Sequence, residues 1–111
     1  MLVGSASPTP DVGPTAKVTI TKIINKMTGE SVTDSVITLR WEGPDGETLR
    51  TEHYQNIDTL TTTVAADGQS RLWVRVEAAG FHPWEIAIRL KLNENKPVTF
   101  PVEMIPLAVQ E

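Results

Sequence analysis

Hydrophobic and polar residues alternate along most of the chain from Lys17 onward, with the period of two that is typical of half-buried β-strands. The clearest example runs from Leu72 to Phe81 and follows the turn sequence Ala65-Ala-Asp-Gly68. One face of this strand receives Leu72, Val74, Val76 and Ala78, and the other receives Trp73, Arg75 and Glu77. Successive side chains of a strand point to opposite sides of its sheet, so the first face is predicted to be buried.

The same alternation predicts six further strands, with turn signals roughly every 8–12 residues, as in a β-sandwich. These strands are expected at residues 17–24, 35–42, 47–55, 57–64 and 84–92, and in a last segment from Val98 to Met104. The predicted core comprises Ile37, Leu39, Val74, Val76, Ile86, Ile88, Phe100 and Val102, and the same interior should receive Val18, Ile20, Ile24, Trp41, Trp84, Leu90, Leu92, Val98 and Met104. The predicted fold class is all-β, a seven-stranded Ig-like sandwich.

Turn and edge signals refine this arrangement. Gly43-Pro-Asp-Gly46 predicts a reversal, because its proline presets φ and its closing glycine accepts a positive φ. The polar segment from Glu47 to Gln55 is predicted to be an edge strand whose charges discourage pairing with another sheet. Asp67-Gly68 predicts a hairpin between the strands on either side. Pro101 cannot donate to a ladder, so the last strand is expected to lie at an edge or to bulge.

Residues 1–16 differ in composition from the rest of the chain. They hold Pro8, Pro10 and Pro14 among Gly, Ser, Thr and Ala, and such a segment cannot bury enough apolar surface to offset its ordering entropy. We therefore expect a flexible N-terminal arm at 1–16 and one sandwich domain at 17–111, since 111 residues have room for a single core. A Pro-rich arm loses little conformational entropy when it lies extended along a partner.

Charge and composition argue against several classes of function. The chain has 14 acidic and 10 basic residues, a net charge of −4 and no basic cluster, so nucleic acid is not an expected partner. It has no cysteine, which excludes disulfides, thiolate metal sites and a cysteine nucleophile. The first residues show no secretory signal pattern, and no apolar run is long enough for a transmembrane helix.

Three segments resemble the carboxypeptidase regulatory-like domain. They are the run from Thr28 to Leu39, the segment Thr63-Val-Ala-Ala-Asp-Gly68 and the corner Val74-Arg-Val-Glu-Ala-Ala-Gly-Phe81. That family belongs to the prealbumin-like sandwiches, near the B-type repeats of collagen adhesins, and the resemblance covers residues 17–106. It implies a non-catalytic module of a surface, secreted or virion protein. The chain departs from the family pattern at Asp34-Ser35, where Gly-Ala is usual, and at Phe81, which replaces the corner Tyr.

The resemblance to adhesin repeats implies one specific chemistry, an isopeptide between a first-strand lysine and a last-strand asparagine assisted by a buried acid. Lys22 and Glu77 stand near the lysine and acid positions, but the asparagine is missing from the last strand, since Asn93 and Asn95 precede it. Solvation of Lys22 and Glu77 is therefore the expected outcome. The fold also resembles a transthyretin-like hydrolase, whose C-terminal Tyr-Arg-Gly-Ser signature is replaced here by Ala-Val-Gln-Glu111.

The remaining polar residues do not have the spacing of a catalytic or metal site. His53 and His82 lie on different predicted elements, and neither belongs to a close set of His, Asp and Glu. The serines lie in no nucleophile elbow. Calcium-binding loops contain closely spaced, alternating acidic residues, and no turn of this chain has that pattern. The four acids at or near turns are therefore expected to stabilise those turns; they are Asp45, Glu47, Asp58 and Asp67. Neither catalysis nor a metal or other cofactor is expected.

Trp73, with Arg71 and Arg75 on its own predicted face, is the feature that folding explains least. Trp and Arg are enriched at binding hot spots, so this column predicts an interface. Coverage of the Trp by the arm or by an adjacent loop is the structural alternative. The corner Phe81-His-Pro-Trp84 is expected to close the core rather than to bind a ligand.

These patterns predict a non-enzymatic structural or interaction module, an accessory or surface subunit of a virion or cell-surface assembly. Its predicted partner-binding residues are Pro8, Pro10, Arg71, Trp73 and Arg75. The alternative is a carbohydrate-binding module of a secreted or surface protein, for which Trp73, Trp84 and Tyr54 would have to form a flat exposed row. Strand parity instead predicts that Trp84 is buried, so the exposure of Trp84 together with Trp73 distinguishes the two hypotheses.

Overall fold

A computed structural model describes residues 15–94 and 96–107 of the chain. Seven strands form two sheets in this part of the chain, and it contains no helix. The strands are β1 (Thr15–Asn25), β2 (Val36–Glu42), β3 (Thr48–Gln55), β4 (Leu60–Ala65), β5 (Arg71–Glu77), β6 (Trp84–Ile88) and β7 (Val98–Met104). The predicted all-β, seven-stranded sandwich is confirmed. Pro8, Pro10 and most of the predicted arm lie outside the described residues.

One sheet has the strand order β4-β1-β7 and the other the order β3-β2-β5-β6. All neighbouring strands are antiparallel except β1 and β7, which are parallel. The edge position predicted for β3 is confirmed. The edge position expected for the last strand because of Pro101 is also confirmed. The register between β1 and β7 shifts beside that proline, with the extra residue in β1, between Ile20 and Lys22.

The core lies between the two sheets and follows the predicted alternation closely. β2 buries Ile37, Leu39 and Trp41, while the residues between them remain half-buried. The other predicted core residues with exposed fractions of 9% or less are Val18, Ile20, Leu72, Val74, Val76, Ile88, Leu90, Val102 and Met104. Three further ones, Trp84, Val98 and Phe100, are partly buried and pack against this cluster.

The prediction for the end of β1 is wrong. Ile23 is fully buried and Ile24 only partly, whereas strict alternation placed Ile24 inside and Ile23 outside. The register shift between Ile20 and Lys22 is the cause, because one extra residue in a strand exchanges the two faces beyond it.

The hairpin predicted at Asp67-Gly68 does not form. β4 pairs with β1 and β5 pairs with β2 and β6, so this turn carries the chain from one sheet to the other. Gly68 does adopt a positive φ of 75°. The side chain of Asp67 shapes the turn by accepting hydrogen bonds from the backbone N–H groups of Gln69 and Ser70. The chain does turn at Asp67-Gly68, but the predicted pairing of the flanking strands is wrong.

β6 is shorter and less buried than predicted. The strand ends at Ile88 rather than at residue 92, and Leu92 is 69% exposed. Ile86 is 38% exposed although it faces the interior, so its prediction as a core residue is wrong. β6 lies at the edge of its sheet, where the opposite sheet covers the inward face incompletely.

Candidate functional site

The outer face of the four-stranded sheet carries the predicted column of Arg71, Trp73 and Arg75. β2 and β5 are its two central strands, and their register places Arg40 directly opposite Trp73 and Glu42 opposite Arg71. On the other side of β5, Ala87 lies opposite Trp73. We call this surface the Trp73 face, and its residues are Thr38, Arg40, Glu42, Arg71, Trp73, Arg75 and Glu85.

Two arginines lie over the Trp73 ring. The guanidinium carbon of Arg40 is 5.3 Å from the ring centroid, and that of Arg71 is 6.0 Å away, both within the range of cation–π attraction. Glu42 binds both arginines, with N–O distances of 3.4 Å to Arg40 and 3.3 Å to Arg71. One carboxylate thus holds two guanidinium groups against one indole.

Arg75 is held by two carboxylates. It pairs with Glu77 at 3.2 Å and with Glu85 of β6. Hydrogen bonds to Glu77 and Glu85 raise the pKa of the Arg75 guanidinium, so it stays protonated. The three arginines of the surface are balanced by three glutamates, two of them within the Trp73 face and the third, Glu77, at its margin. The face is therefore densely charged but close to neutral overall.

The indole nitrogen of Trp73 is buried and has no hydrogen-bond partner within residues 15–94 and 96–107. Trp41, on the opposite side of the same sheet, instead donates from Nε1 to the carbonyl oxygen of Thr63 at 3.0 Å. A buried donor without a partner costs about 1–3 kcal/mol. The hydrogen bond of Trp41 is that of a core residue, whereas the indole N–H of Trp73 makes no hydrogen bond within the described part of the chain.

A small recess beside Trp73 has a volume of about 130 Å³ and is lined by Thr38, Arg40, Trp73, Val74, Arg75 and Glu85. Thr38 is hydrogen-bonded to His53 Nδ1 on β3 at 3.1 Å. Ligand pockets for drug-sized molecules measure roughly 300–1,000 Å³. The recess is smaller, so the Trp73 face is a broad surface with a shallow dent rather than an enclosed pocket.

Two open clefts of about 360 and 390 Å³ lie at the corner after β5 and share Asp34, Ala79 and Phe81. Phe81 packs against the core, and its backbone bridges to Pro106. The neighbouring His82 donates its N–H to the carbonyl oxygen of Ile105 at 2.9 Å. These contacts join the end of β7 to the segment before β6, which agrees with the expectation that the corner closes the core.

The residues considered for an isopeptide are not brought together. Lys22 is exposed on β1 in one sheet, and Glu77 is exposed at the end of β5 in the other, where it pairs with Arg75. Asn93 lies in a loop with a positive φ of 63°, and Asn95 lies outside the described residues. The solvated state expected for Lys22 and Glu77 is the one observed.

The acids at turns stabilise those turns. Glu47 accepts the N–H of Asp45 at 3.2 Å, and Asp58 accepts the hydroxyl of Thr59. Partial desolvation acts to raise the pKa of Asp67, but the hydrogen bonds from the hydroxyl and N–H of Ser70 and from the N–H of Gln69 outweigh it, so the pKa is lowered. His53 and His82 are both exposed, on β3 and at the corner. No group of three or more His, Asp and Glu suited to a metal ion occurs in the described part.

The aromatic row required by the carbohydrate hypothesis does not form. Tyr54 and Trp84 lie opposite Ile37 and Val76 and therefore face the interior side of the sheet, whereas Trp73 faces outward. Trp84 is half-buried and stacks on Phe100, with ring centroids 5.7 Å apart. Any ligand of Trp73 thus meets one tryptophan among arginines rather than a row of rings.

Sequence reasoning found Arg71, Trp73 and Arg75 but missed Arg40 and Glu42. Both lie at outward positions of the second predicted strand. The strand pattern gives their face but not their neighbour, because only the pairing of β2 with β5 places them beside Trp73. The one signal in the sequence that pointed to these two residues was the occurrence of an Arg and a Glu, two positions apart, on the outward face of a predicted strand.

No protein-family model matches the chain, and no curated protein matches it. Among solved structures, the chain is similar to a "putative carbohydrate binding protein" from Bacteroides uniformis, with a TM-score of 0.51 and 22% sequence identity. The match covers 85% of this chain and 43% of that protein, so the chain spans less than half of its length. A likeness at this level of identity shows a shared sandwich fold.

Within residues 15–94 and 96–107 no helix has the length and apolarity needed to cross a membrane.

Proposed function

We propose that the chain is a non-catalytic interaction module that binds a protein partner through the Trp73 face. The observation that carries this proposal is the state of Trp73, which lies on the outer face of the sheet under Arg40 and Arg71 and whose buried indole N–H has no partner among the described residues. Trp and Arg dominate binding hot spots, which lie near the centre of an interface and are ringed by contacts that exclude water.

The geometry of the face supports binding at low entropic cost. Glu42 restrains Arg40 and Arg71, and Glu85 restrains Arg75. Ordering a long side chain at an interface costs about 0.5–1.5 kcal/mol, and a restrained side chain avoids part of this cost. The ion pairs around the ring would form the polar rim that surrounds the apolar centre of many interfaces.

A role in a virion or cell-surface assembly extends this proposal. It follows from the resemblance to carboxypeptidase regulatory-like domains, and the part assigned to Pro8 and Pro10 remains a prediction because both lie outside the described residues.

The experiment is a quantitative co-purification of the full chain from its native source, with partners measured by mass spectrometry. Trp73→Ala and Arg71→Ala should lose the partner, while their thermal unfolding midpoints stay near that of the wild type. Arg50→Ala is the matched control, because Arg50 is similarly exposed and also lies over a tryptophan, Trp41, at 4.0 Å, but away from the Trp73 face. Equal recovery of partners by all four proteins would refute the proposal.

A second candidate function is carbohydrate binding, favoured by the description of the similar protein from Bacteroides uniformis as a carbohydrate binding protein. The recess beside Trp73 could accept one sugar ring against the indole, with the hydroxyl of Thr38 and the carboxylate of Glu85 as hydrogen-bonding groups. Binding of a glycan array by the wild type that Trp73→Ala abolishes would favour this candidate. Loss of a protein partner without any glycan binding would favour the first.

A further inference from the structure

The two edges of the four-stranded sheet differ in how they meet solvent. β3 points charged and polar groups to the interior side, because Arg50, Glu52 and Tyr54 lie opposite buried residues of β2. Glu52 binds both neighbours, Arg50 at 3.4 Å and the Tyr54 hydroxyl at 2.5 Å. Inward-pointing charges are a common protection of edge strands against pairing with another sheet.

β6 lacks this protection. Its five residues are Trp84, Glu85, Ile86, Ala87 and Ile88, without Lys or Pro. The one charge, on Glu85, points outward and is neutralised by Arg75. The edges of the three-stranded sheet differ from β6. In β7, Pro101 lies beside the register shift between β1 and β7. In β4, the carbonyl oxygen of Thr63 already accepts a hydrogen bond from Trp41.

The inward side of β6 is also incompletely covered. Ile86 is 38% exposed, whereas Val74, its partner on β5, is 2% exposed. Beside it Trp84 and Phe100 stack on each other and remain half-buried. Among the described residues no strand pairs with the outer edge of β6. An edge of this kind with exposed apolar side chains is a template for a further strand.

We propose that β6 pairs antiparallel with β6 of a second copy, about a two-fold axis at Ile86, and joins the two four-stranded sheets into one of eight strands. The strand complements itself in this register. Ile86 lies opposite its own copy, Trp84 lies opposite the partner's Ile88, and Glu85 lies opposite the partner's Ala87. All five residues are paired and no like charges face each other, as a two-fold symmetric interface between identical strands requires.

The test is sedimentation equilibrium of the full chain over the micromolar range. The wild type should be a dimer at the upper concentrations. Ile86→Lys should be monomeric with a wild-type circular dichroism spectrum, because Ile86 is partly exposed in the single chain. Leu49→Lys is the control, since Leu49 is a 59% exposed apolar residue on β3, and this variant should still dimerise. A wild type that stays monomeric, or a dimer that Ile86→Lys leaves intact, overturns the proposal.

Substitutions at Ala87 test the register. Ala87→Glu should weaken the dimer several-fold, because each new carboxylate meets the partner's Glu85. Ala87→Lys should strengthen it, because each new ammonium meets that carboxylate. A register centred on Ala87 would instead place the two lysines opposite each other, so weakening by Ala87→Lys contradicts the proposed pairing.

Hydrogen exchange provides an independent measurement. The free-edge amides of β6 should exchange more slowly as the concentration rises. If they are protected equally at all concentrations in a monomer, this chain's own residues cover the edge and the proposal fails.

Discussion

Trp41 and Trp73 lie on opposite faces of the same sheet, and their indole N–H groups have different surroundings. Trp41 is 8% exposed and donates to the carbonyl of Thr63. Trp73 is half-buried under Arg40 and Arg71, and its buried N–H has no partner in the described part of the chain. The first therefore contributes to the stability of the fold, and the second is the better candidate for binding.

Replacing each tryptophan by phenylalanine should separate these roles. Trp41→Phe should lower the free energy of unfolding by about 1–3 kcal/mol, because it removes a donor from a buried hydrogen bond. Trp73→Phe should leave the free energy of unfolding unchanged or raise it, because the donor it removes has no partner within residues 15–94 and 96–107. Urea denaturation at neutral pH measures both, and equal losses would contradict the assignment.

Asp67 offers a test through pH. Its pKa is lowered in the folded chain from an ordinary value of 3.8, so its contribution to stability is complete above that value and is lost as pH falls through the lower folded pKa. Asp67→Asn keeps an oxygen acceptor but loses the charge. The variant should be less stable than the wild type at neutral pH, and the difference should shrink below pH 3.8. A difference that is constant with pH would contradict the role of the charge.

At the scale of the element, edge position decides how far a pattern of alternation is realised. β2 is central and buries every inward residue, whereas β6 is an edge strand and buries Ile88 but not Ile86. β3, the opposite edge, places Arg50 and Glu52 at inward positions instead. The same period of two thus describes a core strand, a protected edge and an open edge.

The two isoleucines of β6 form a matched pair. Ile88→Ala should cost about 2–5 kcal/mol, as for other buried large-to-small substitutions. Ile86→Ala should cost clearly less, because Ile86 is 38% exposed and Ile88 only 9%. Both costs are measured by denaturant unfolding at low protein concentration, so that the unfolding free energies of the monomeric variants are compared. Equal costs would show that Ile86 is covered more completely than the structure indicates.

At the scale of the whole molecule, a balanced Trp73 face is part of a chain with a net charge of −4. Polyanions bind proteins mainly through unpaired Lys and Arg. Arg40, Arg71 and Arg75 are all paired with glutamates, so the face offers a polyanion little unneutralised charge.

The full chain should therefore leave the fluorescence anisotropy of a labelled DNA duplex unchanged at low salt. Salt-sensitive binding of the duplex would contradict this expectation.

The sequence by itself determined the number of strands, the inward faces of β2 and β5 and the outward position of Trp73, because a period of two needs only neighbouring residues. Turn residues likewise predicted the positive φ at Gly46, which is a local property. Only the tertiary structure decided the crossing of Asp67-Gly68 between sheets and the exposure of Ile86. These depend on which strands pair and which sheet covers which edge, and contacts between residues distant in sequence fix both. The same contacts bring Arg40 and Glu42 to Trp73, so the composition of the candidate site was a property of the fold rather than of any one segment.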